Sequence, residues 1–427
     1  MTTTTTPSTP VVSAAVRGMG GARRQVLAII LVLLGVLGVW AFALNVPSGQ
    51  HAVLNLDAGH AAHLAPLDLP VRLTDGLLCA GTILAGLVLG ARRRGRDAYV
   101  LLSLGLAAFG FSVVVWAARG AQVSFVGLLA TTLVDAVPLI FGALSGVMCE
   151  RSGVVNIAIE GQFLAGAFLG AMIGSATHNL WLGMLAGAAA GAAMGALLAF
   201  LSLRYQADQI IVGVVIVTFA TGLTNFLTAQ VLNNHQETLN SPSVFEPVSI
   251  PLLDRIPLLG PILFQQNVFF YLAIAFLVVV QVGLTRTRWG LRVRAVGEHP
   301  EAAASVGINV LAVRYRNVIL GGAIGGIGGA SFTIGSTGQF TAEMTAGLGY
   351  VALAAMIFGG WRPLAAAGAT LLFGFADSLQ SSLGLLNTPI PTDILLMLPY
   401  VITIVAVAGL VGRVRPPAAD GRPYQRE

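Results

Sequence analysis

Three carboxylates interrupt otherwise apolar stretches of this chain: Asp135, Glu160 and Asp377. Each has polar company at helical spacing. Asp135 follows Thr131 and Thr132 by one turn, and Asn156 precedes Glu160 by four residues, which predicts one shared helix face. Thr218, Thr221 and Asn225 form one stripe, and Asp377, Gln380 and Ser381 form another. Polar side chains at membrane depth are costly and turn toward a bundle interior or a water-filled cavity. Three kinds of chemistry suit these stripes. They could hydrogen-bond a hydroxylated or heterocyclic solute, carry a proton or cation, or tie helices together in a static network. Asp208 stands at a predicted helix start, where Asp is a favoured N-cap. Phe332, Phe340 and Glu343 lie near one end of a span, where an aromatic ring either stacks on a base or anchors at the membrane interface.

Other chemistries are excluded. All 23 basic residues are arginine. Without lysine the chain has no P-loop to cradle phosphates and no Schiff-base nucleophile. It has no HExxH and no GxSxG. Cys79 and Cys149 sit in apolar stretches and read as small buried residues. His60 and His63 are spaced for one helical face, with His51, Asp57 and Asp68 nearby, but no convincing set of three or four metal ligands forms. No metal site is expected. The pI of about 9.7 comes from arginines in loops and ends, which gives no support to nucleic-acid binding.

The elements that position these residues are membrane spans. Charged residues make up 10% of the chain and the mean hydropathy is +0.83, against about 25% charged in a soluble domain. So few charges cannot coat a water-facing globule of this size. About twelve apolar segments of spanning length appear, near 25–45, 76–91, 98–118, 125–149, 154–176, 179–202, 208–228, 267–284, 317–336, 346–360, 363–383 and 393–412. The first run, longer than the apolar core of a cleaved signal, reads as a retained anchor. With alternating topology from an inside N-terminus, only Arg72, Arg119 and Arg255 of the 23 arginines fall outside. That bias puts both termini in the cytoplasm. The expected fold is an all-α polytopic membrane protein of about twelve helices, about nine of them in a core and about three N-terminal to it. The expected segments are a disordered tail 1–24, extra N-terminal spans 25–124, a core 125–413 and a cytoplasmic tail 414–427.

Gly183, Gly187, Gly191 and Gly195 recur every fourth residue, and Gly321, Gly322, Gly325, Gly326, Gly328 and Gly329 crowd another span. Such strips let helix backbones approach closely. The charged loop 285–316 is the longest predicted inside segment. Within it Pro300 suits a first helical position and Gly307 the position just past a helix end, which predicts a helix of about two turns. A helix so short is not stable alone. It either docks on another protein or rests on the membrane surface.

Five ordered segments carry a resemblance: ERSGVVNIAIEGQ (150–162), RYQADQIIVGV (204–214), GLRVRAVGEHPEAAASVGINV (290–310), ALAAMIFGGWRP (352–363) and LFGFADSLQ (372–380). From about residue 125 to 424 the chain resembles ABC importer permeases of the branched-chain amino acid and simple-sugar superfamily, and within it the permeases taken to import nucleosides. The resemblance implies a permease subunit of the bacterial plasma membrane, not an enzyme, with no cofactor of its own. ATP and Mg would belong to a partner ABC ATPase. The other implied partners are a second permease, homologous or identical, an extracytoplasmic solute-binding protein and the lipid bilayer. The GEHPEAA stretch matches the family's coupling helix, which implies a coupling role for Glu298, His299, Pro300, Glu301, Ala302 and Ala303, and with them Gly307 and Asn309. Pathway candidates are Asp135, Asn156, Glu160, Thr218, Thr221, Asn225, Asp377 and Gln380. The competing reading is an ion-coupled secondary transporter using Asp135, Glu160 or Asp377, since broken helices and membrane carboxylates suit that class too.

Overall fold

A computed structural model describes residues 21–56, 65–91, 97–385 and 415–425, together with Met397. Apart from Met397, the segment predicted to span at 393–412 lies outside the described residues, as do Asp57, His60, His63 and most of the predicted disordered tail. The chain divides into two compact units.

The first unit takes in residues 1–54 and 67–123. Helix α1 (Gly21–Gly38) ends in a π-helical stretch, Val39–Leu44. Strands β1 (His51–Asn55) and β2 (Leu67–Pro70) then pair antiparallel, His51 opposite Pro70. Helices α2 (Val71–Ala91) and α3 (Asp97–Ala117) follow, and β3 (Gln122–Ser124) completes a sheet of order β2-β1-β3. Small residues let α1 and α2 touch. A Cβ on Gly86 would lie 2.9 Å from the Ala28 carbonyl. Cys79 is free and buried here, and Cys149 is free and buried in the second unit.

The second unit holds the predicted core, residues 55–66 and 124–427. Its long helices are α4 (Phe125–Glu150), α5 (Ile159–Thr177), α6 (Leu180–Ala199) and α7 (Gln209–Leu227). Two short helices, α8 (Gln236–Leu239) and α9 (Leu259–Leu263), and the strand pair β4 (Val248–Ser249) and β5 (Gln265–Gln266) lead to α10 (Val268–Arg286). Then come α11 (Arg288–Glu298), α12 (Pro300–Ser305), α13 (Val310–Phe332), α14 (Leu348–Phe358) and α15 (Pro363–Leu385). Side-chain caps set several starts. Asp208 accepts from the N–H groups of Ile210 and Ile211 at 2.9 and 3.1 Å, so its role is the predicted cap. Asn179, Asn267 and Thr287 do the same for α6, α10 and α11.

Among the described residues, nine helices are long and apolar enough to cross a membrane. Two expectations change. The predicted tenth span is α14, whose 11 residues reach only about 16 Å at 1.5 Å per residue. A hydrocarbon core is about 30 Å thick. The segment before it, 338–347, is irregular, with left-handed backbone at Glu343, Ala346 and Gly347. The other change is at 151–158, where the backbone is not helical and α5 begins only at Ile159. Asn156 therefore does not share a helix face with Glu160.

The glycine strips pack. A Cβ on Gly191 of α6 would lie 2.2 Å from the Gly322 carbonyl of α13, and one on Gly166 of α5 would lie 2.3 Å from the Gly326 carbonyl. Three helix backbones thus meet with no side chain between them. In lipid, where apolar burial drives little, such contact supplies much of the cohesion.

Candidate functional site

Of the predicted residues, Asn156 lies in the break between α4 and α5, and Glu160 follows it in the first turn of α5. Five of the break's eight residues are buried and the other three half-buried. Irregular backbone at membrane depth is tolerated only when packed in protein or facing a cavity, because its polar groups need partners. Here side chains supply them. Ser145 on α4 donates to Gln162 Oε1 at 2.9 Å, Asn156 Nδ2 donates to Ser145 Oγ at 3.0 Å, and Gln162 Nε2 donates to Asn156 Oδ1 at 3.2 Å. All three side chains are inaccessible. Gly325 of α13 makes room, since a Cβ there would press on Gln162 Oε1.

Glu160, in the first turn of α5, serves a different element. Its Oε1 accepts from Thr345 Oγ1 at 2.6 Å and from the Gly347 N–H at 2.8 Å, and its Oε2 accepts from the Gly349 N–H at 2.6 Å. The carboxylate thus closes the start of α14, where backbone donors are unsatisfied and the helix dipole favours negative charge. Gly349 must be glycine, because a Cβ would lie 2.5 Å from the Glu160 backbone nitrogen. Glu160, two residues past the break at 151–158, thus ties the start of α5 to the 338–347 break.

Sequence reasoning missed a second clamp. Trp361 Nε1 donates to Glu150 Oε2 at 2.5 Å, and Arg151 Nε donates to the Trp361 carbonyl at 2.8 Å. Gln209 Oε1 accepts from the Val155 N–H at 2.8 Å, and Gly297 lies so close to the Arg151 carbonyl that no Cβ fits. Four of the five quoted segments therefore meet at the break. Polar residues at the ends of four separate apolar runs were the available signal, but nothing in the spacing pairs them.

Asp135 and Asp377 come together on a small cavity with Asn267, Ser331, Phe332, Ser336 and Leu348. Neither carboxylate has a hydrogen bond to a described residue. Pro138 sits inside α4, and its missing N–H frees the Val134 carbonyl beside the same cavity. At about 80 Å³ the space admits water-sized occupants, whereas sites for drug-sized solutes run to about 300–1,000 Å³. The other candidates are scattered. Thr218 is exposed and bonded to its own helix at the Val214 carbonyl. Thr221 is half-buried on the same helix, Asn225 donates to Glu343 at 3.0 Å, and Gln380 lies on α15 away from the cavity lining. Phe340 is buried edge-on against Phe168 at 5.3 Å and serves packing, while Phe332 is half-buried, edge-on to Phe163 at 5.7 Å, and also lines the cavity.

The predicted loop helix is α12, with Pro300 at its start and Gly307 at φ +84° just beyond it. Asn309 caps α13 through the Ala312 N–H at 3.0 Å. The loop holds one more helix than the sequence suggested. In α11 the buried residues Gly290, Val293, Val296 and Gly297 are spaced three or four apart, a signal visible in hindsight. Ala303 packs between Val296 and Val310, with Pro300 also buried. Glu298, His299, Glu301 and Ala302 are exposed, and the apolar Val306 is 75% exposed. A groove of about 510 Å³ runs beside them, lined by Ala304, Gly307, Asn309, Leu311 and Tyr424. The arrangement is a knob packed on its Pro300 and Ala303 side, with an open apolar and acidic face. Among the described residues no cluster of His, Cys, Asp and Glu could hold a metal ion.

Comparison with known proteins agrees with this architecture. Residues 128–407 match the family described as branched-chain amino acid transport system / permease component. The chain is 42% identical over 308 residues to a guanosine ABC transporter permease protein of Bacillus subtilis, covering 70% of this chain and 96% of that protein. It is 38% identical over 306 residues to a nucleoside ABC transporter permease protein of Lactococcus lactis, with 70% and 96% covered. A putative glucose ABC transporter permease protein of Haloferax volcanii is 34% identical over 325 residues, with 70% and 98% covered. No solved structure matches significantly. With its apolar helices, the chain is a multi-pass plasma-membrane protein that transports and is not an enzyme. It belongs to the branched-chain amino acid transport system permease family and is the membrane-spanning permease subunit of an ABC importer.

Proposed function

We propose that this permease imports nucleosides, driven by ATP that a separate ABC ATPase subunit hydrolyses with Mg. This chain itself binds no cofactor. The observation that carries the reading is the exposed face of α12 on a knob held from both sides by α11 and α13. A short helix so held can receive a push without unravelling. The coupling residues are Glu298, His299, Pro300, Glu301, Ala302, Ala303, Gly307 and Asn309. The nucleoside assignment rests on the printed functions of two relatives at 42% and 38% identity.

The complete subunit in this reading has about twelve spans, both termini in the cytoplasm, three spans before residue 125 and the permease core after it. The arginine bias supports that orientation. The pathway runs past Asp135, Asp377 and the break at 151–158. It pairs with a second permease and receives solute from an external binding protein, which sets much of the selectivity.

Two outcomes are expected. Glu301→Arg abolishes uptake while the permease still inserts, because Glu301 is exposed in the first turn of α12 and contributes little to the fold. Unchanged uptake with that variant would remove the coupling assignment. Unlabelled nucleosides compete with one another for uptake of a radiolabelled nucleoside. Competition by ribose or leucine, with none by nucleosides, would replace the substrate class.

A further inference from the structure

The C-terminal segment 415–425 lies beyond the family match, yet it is built into the break and the coupling loop at once. Ala419 is the meeting point. Its N–H donates to the Gly297 carbonyl at 2.9 Å, next to α12, and its carbonyl accepts from Arg314 Nη2 at 3.5 Å. Arg314, near the start of α13, is the largest fully buried side chain among the described residues. Its Nη1 donates to the Arg422 carbonyl at 2.9 Å. A buried guanidinium without acceptors is heavily penalised, so Arg314 depends on this segment. Gly153, in the break, has φ +87°, and a Cβ there would lie 2.7 Å from Arg314 Nη2 and 3.1 Å from the Ala419 carbonyl. Tyr424 packs against the cluster that holds Ala303. Ala418 donates to Glu298 at 3.3 Å, and Gln425 to Gln206, between α6 and α7, at 3.0 Å. Asp420 faces Glu150 and Arg314, and burial holds its carboxyl above the usual carboxylate range.

We propose that residues 415–425 are the link that transmits movement of the coupling helix to the α4–α5 break. The segment touches the end of α11 through Gly297 and Glu298 and packs on the cluster of Val296, Ala303 and Val310 that seats α12, and it faces Gly153 in the break and Glu150 at the end of α4. Ala419 bonds to Gly297 near the end of α11 and to Arg314 of α13, and its carbonyl lies against Gly153 of the break. The link makes Arg314 and Tyr424 positioning residues for transport. The inference rests on the coupling assignment above and deepens it.

The test uses the complete importer in proteoliposomes and reads nucleoside imported per ATP hydrolysed. Two variants are compared with the parent: deletion of 415–427, and Tyr424→Ala, which removes only the packing against the cluster of Val296, Ala303 and Val310 that seats α12. Both are expected to keep the ATPase bound and hydrolysing while import per ATP falls about 5- to 150-fold for the deletion, the usual span of a coupling between sites. The fall is smaller for Tyr424→Ala. An unchanged ratio in both overturns the proposal. If the deletion fails to assemble, Tyr424→Ala decides alone: a reduced ratio supports the link and an unchanged one overturns it. Glu301→Arg in the same assay separates the two levels. If it loses uptake while the tail variants do not, only the link fails; if it transports normally, the coupling assignment beneath the link fails.

Discussion

Glu160→Ala is expected to abolish transport while the protein still reaches the membrane. The carboxylate receives three hydrogen bonds, from Thr345 and from the N–H groups of Gly347 and Gly349, and is 6% exposed. Hydrogen bonds to a charged group contribute about 1.5–3 kcal/mol each, and buried donors left without an acceptor add their own penalty. The loss falls on one element, because α14 has no side-chain cap of its own and depends on Glu160 for its start. With 11 residues it does not persist without tertiary support. The lost element also lines the cavity through Leu348. Glu160→Gln should be intermediate, since the amide keeps one acceptor oxygen and turns an NH2 toward a donor. Uptake, together with protease protection of the 338–358 segment, reads both variants. Normal uptake by Glu160→Ala would mean that the carboxylate is dispensable to the core.

Gly191→Leu is expected to prevent accumulation of folded protein. The added Cβ would lie 2.2 Å from the Gly322 carbonyl and 2.5 Å from the Gly326 nitrogen. Both are backbone atoms, so no rotamer change relieves the clash and α6 must move off α13. Overpacking costs about 1–3 kcal/mol when side chains can shift, and more when backbones must. Gly191 and Gly166 both close on the Gly322–Gly326 stretch of α13, so the displacement would spread to α5. Gly222→Ala is the control. Nothing lies within 4 Å of its added Cβ, and alanine favours the helix by about 1 kcal/mol. Detergent-extracted protein should be monodisperse for Gly222→Ala and aggregated or absent for Gly191→Leu. Equal yields would show that the crossing is looser than described.

What the sequence revealed and what it concealed follow from the range of each interaction. The helix start at Asp208 was a local fact, because the capping side chain and its donors lie within three residues. The close crossing of α6 and α13 was legible as two glycine strips, though not that α5 joins it. Pro300 and Gly307 bounded α12, while α11 hid behind its arginines. Glu160 looked like a partner of Asn156 because four residues separate them. The backbone between them is not helical, and the partner that matters is Gly349, 189 residues on. Asp135 and Asp377 were singled out separately, and only packing of α4 against α15 brings them to one cavity. Ser378 donates to the Leu128 carbonyl at 2.8 Å to hold that pair of helices. The role of the tail was invisible, since its proline-flanked, polar composition resembles a free end.

The most direct test of the central claim is energisation. The permease, assembled with its ATPase and binding protein in proteoliposomes, is given radiolabelled guanosine with and without ATP, in the presence and absence of a protonophore. ATP-dependent uptake that the protonophore leaves unchanged at constant ATP is the predicted result. Uptake that needs no ATP and collapses with the protonophore would contradict the account, making Asp135, Glu160 or Asp377 an ion site in a gradient-driven carrier.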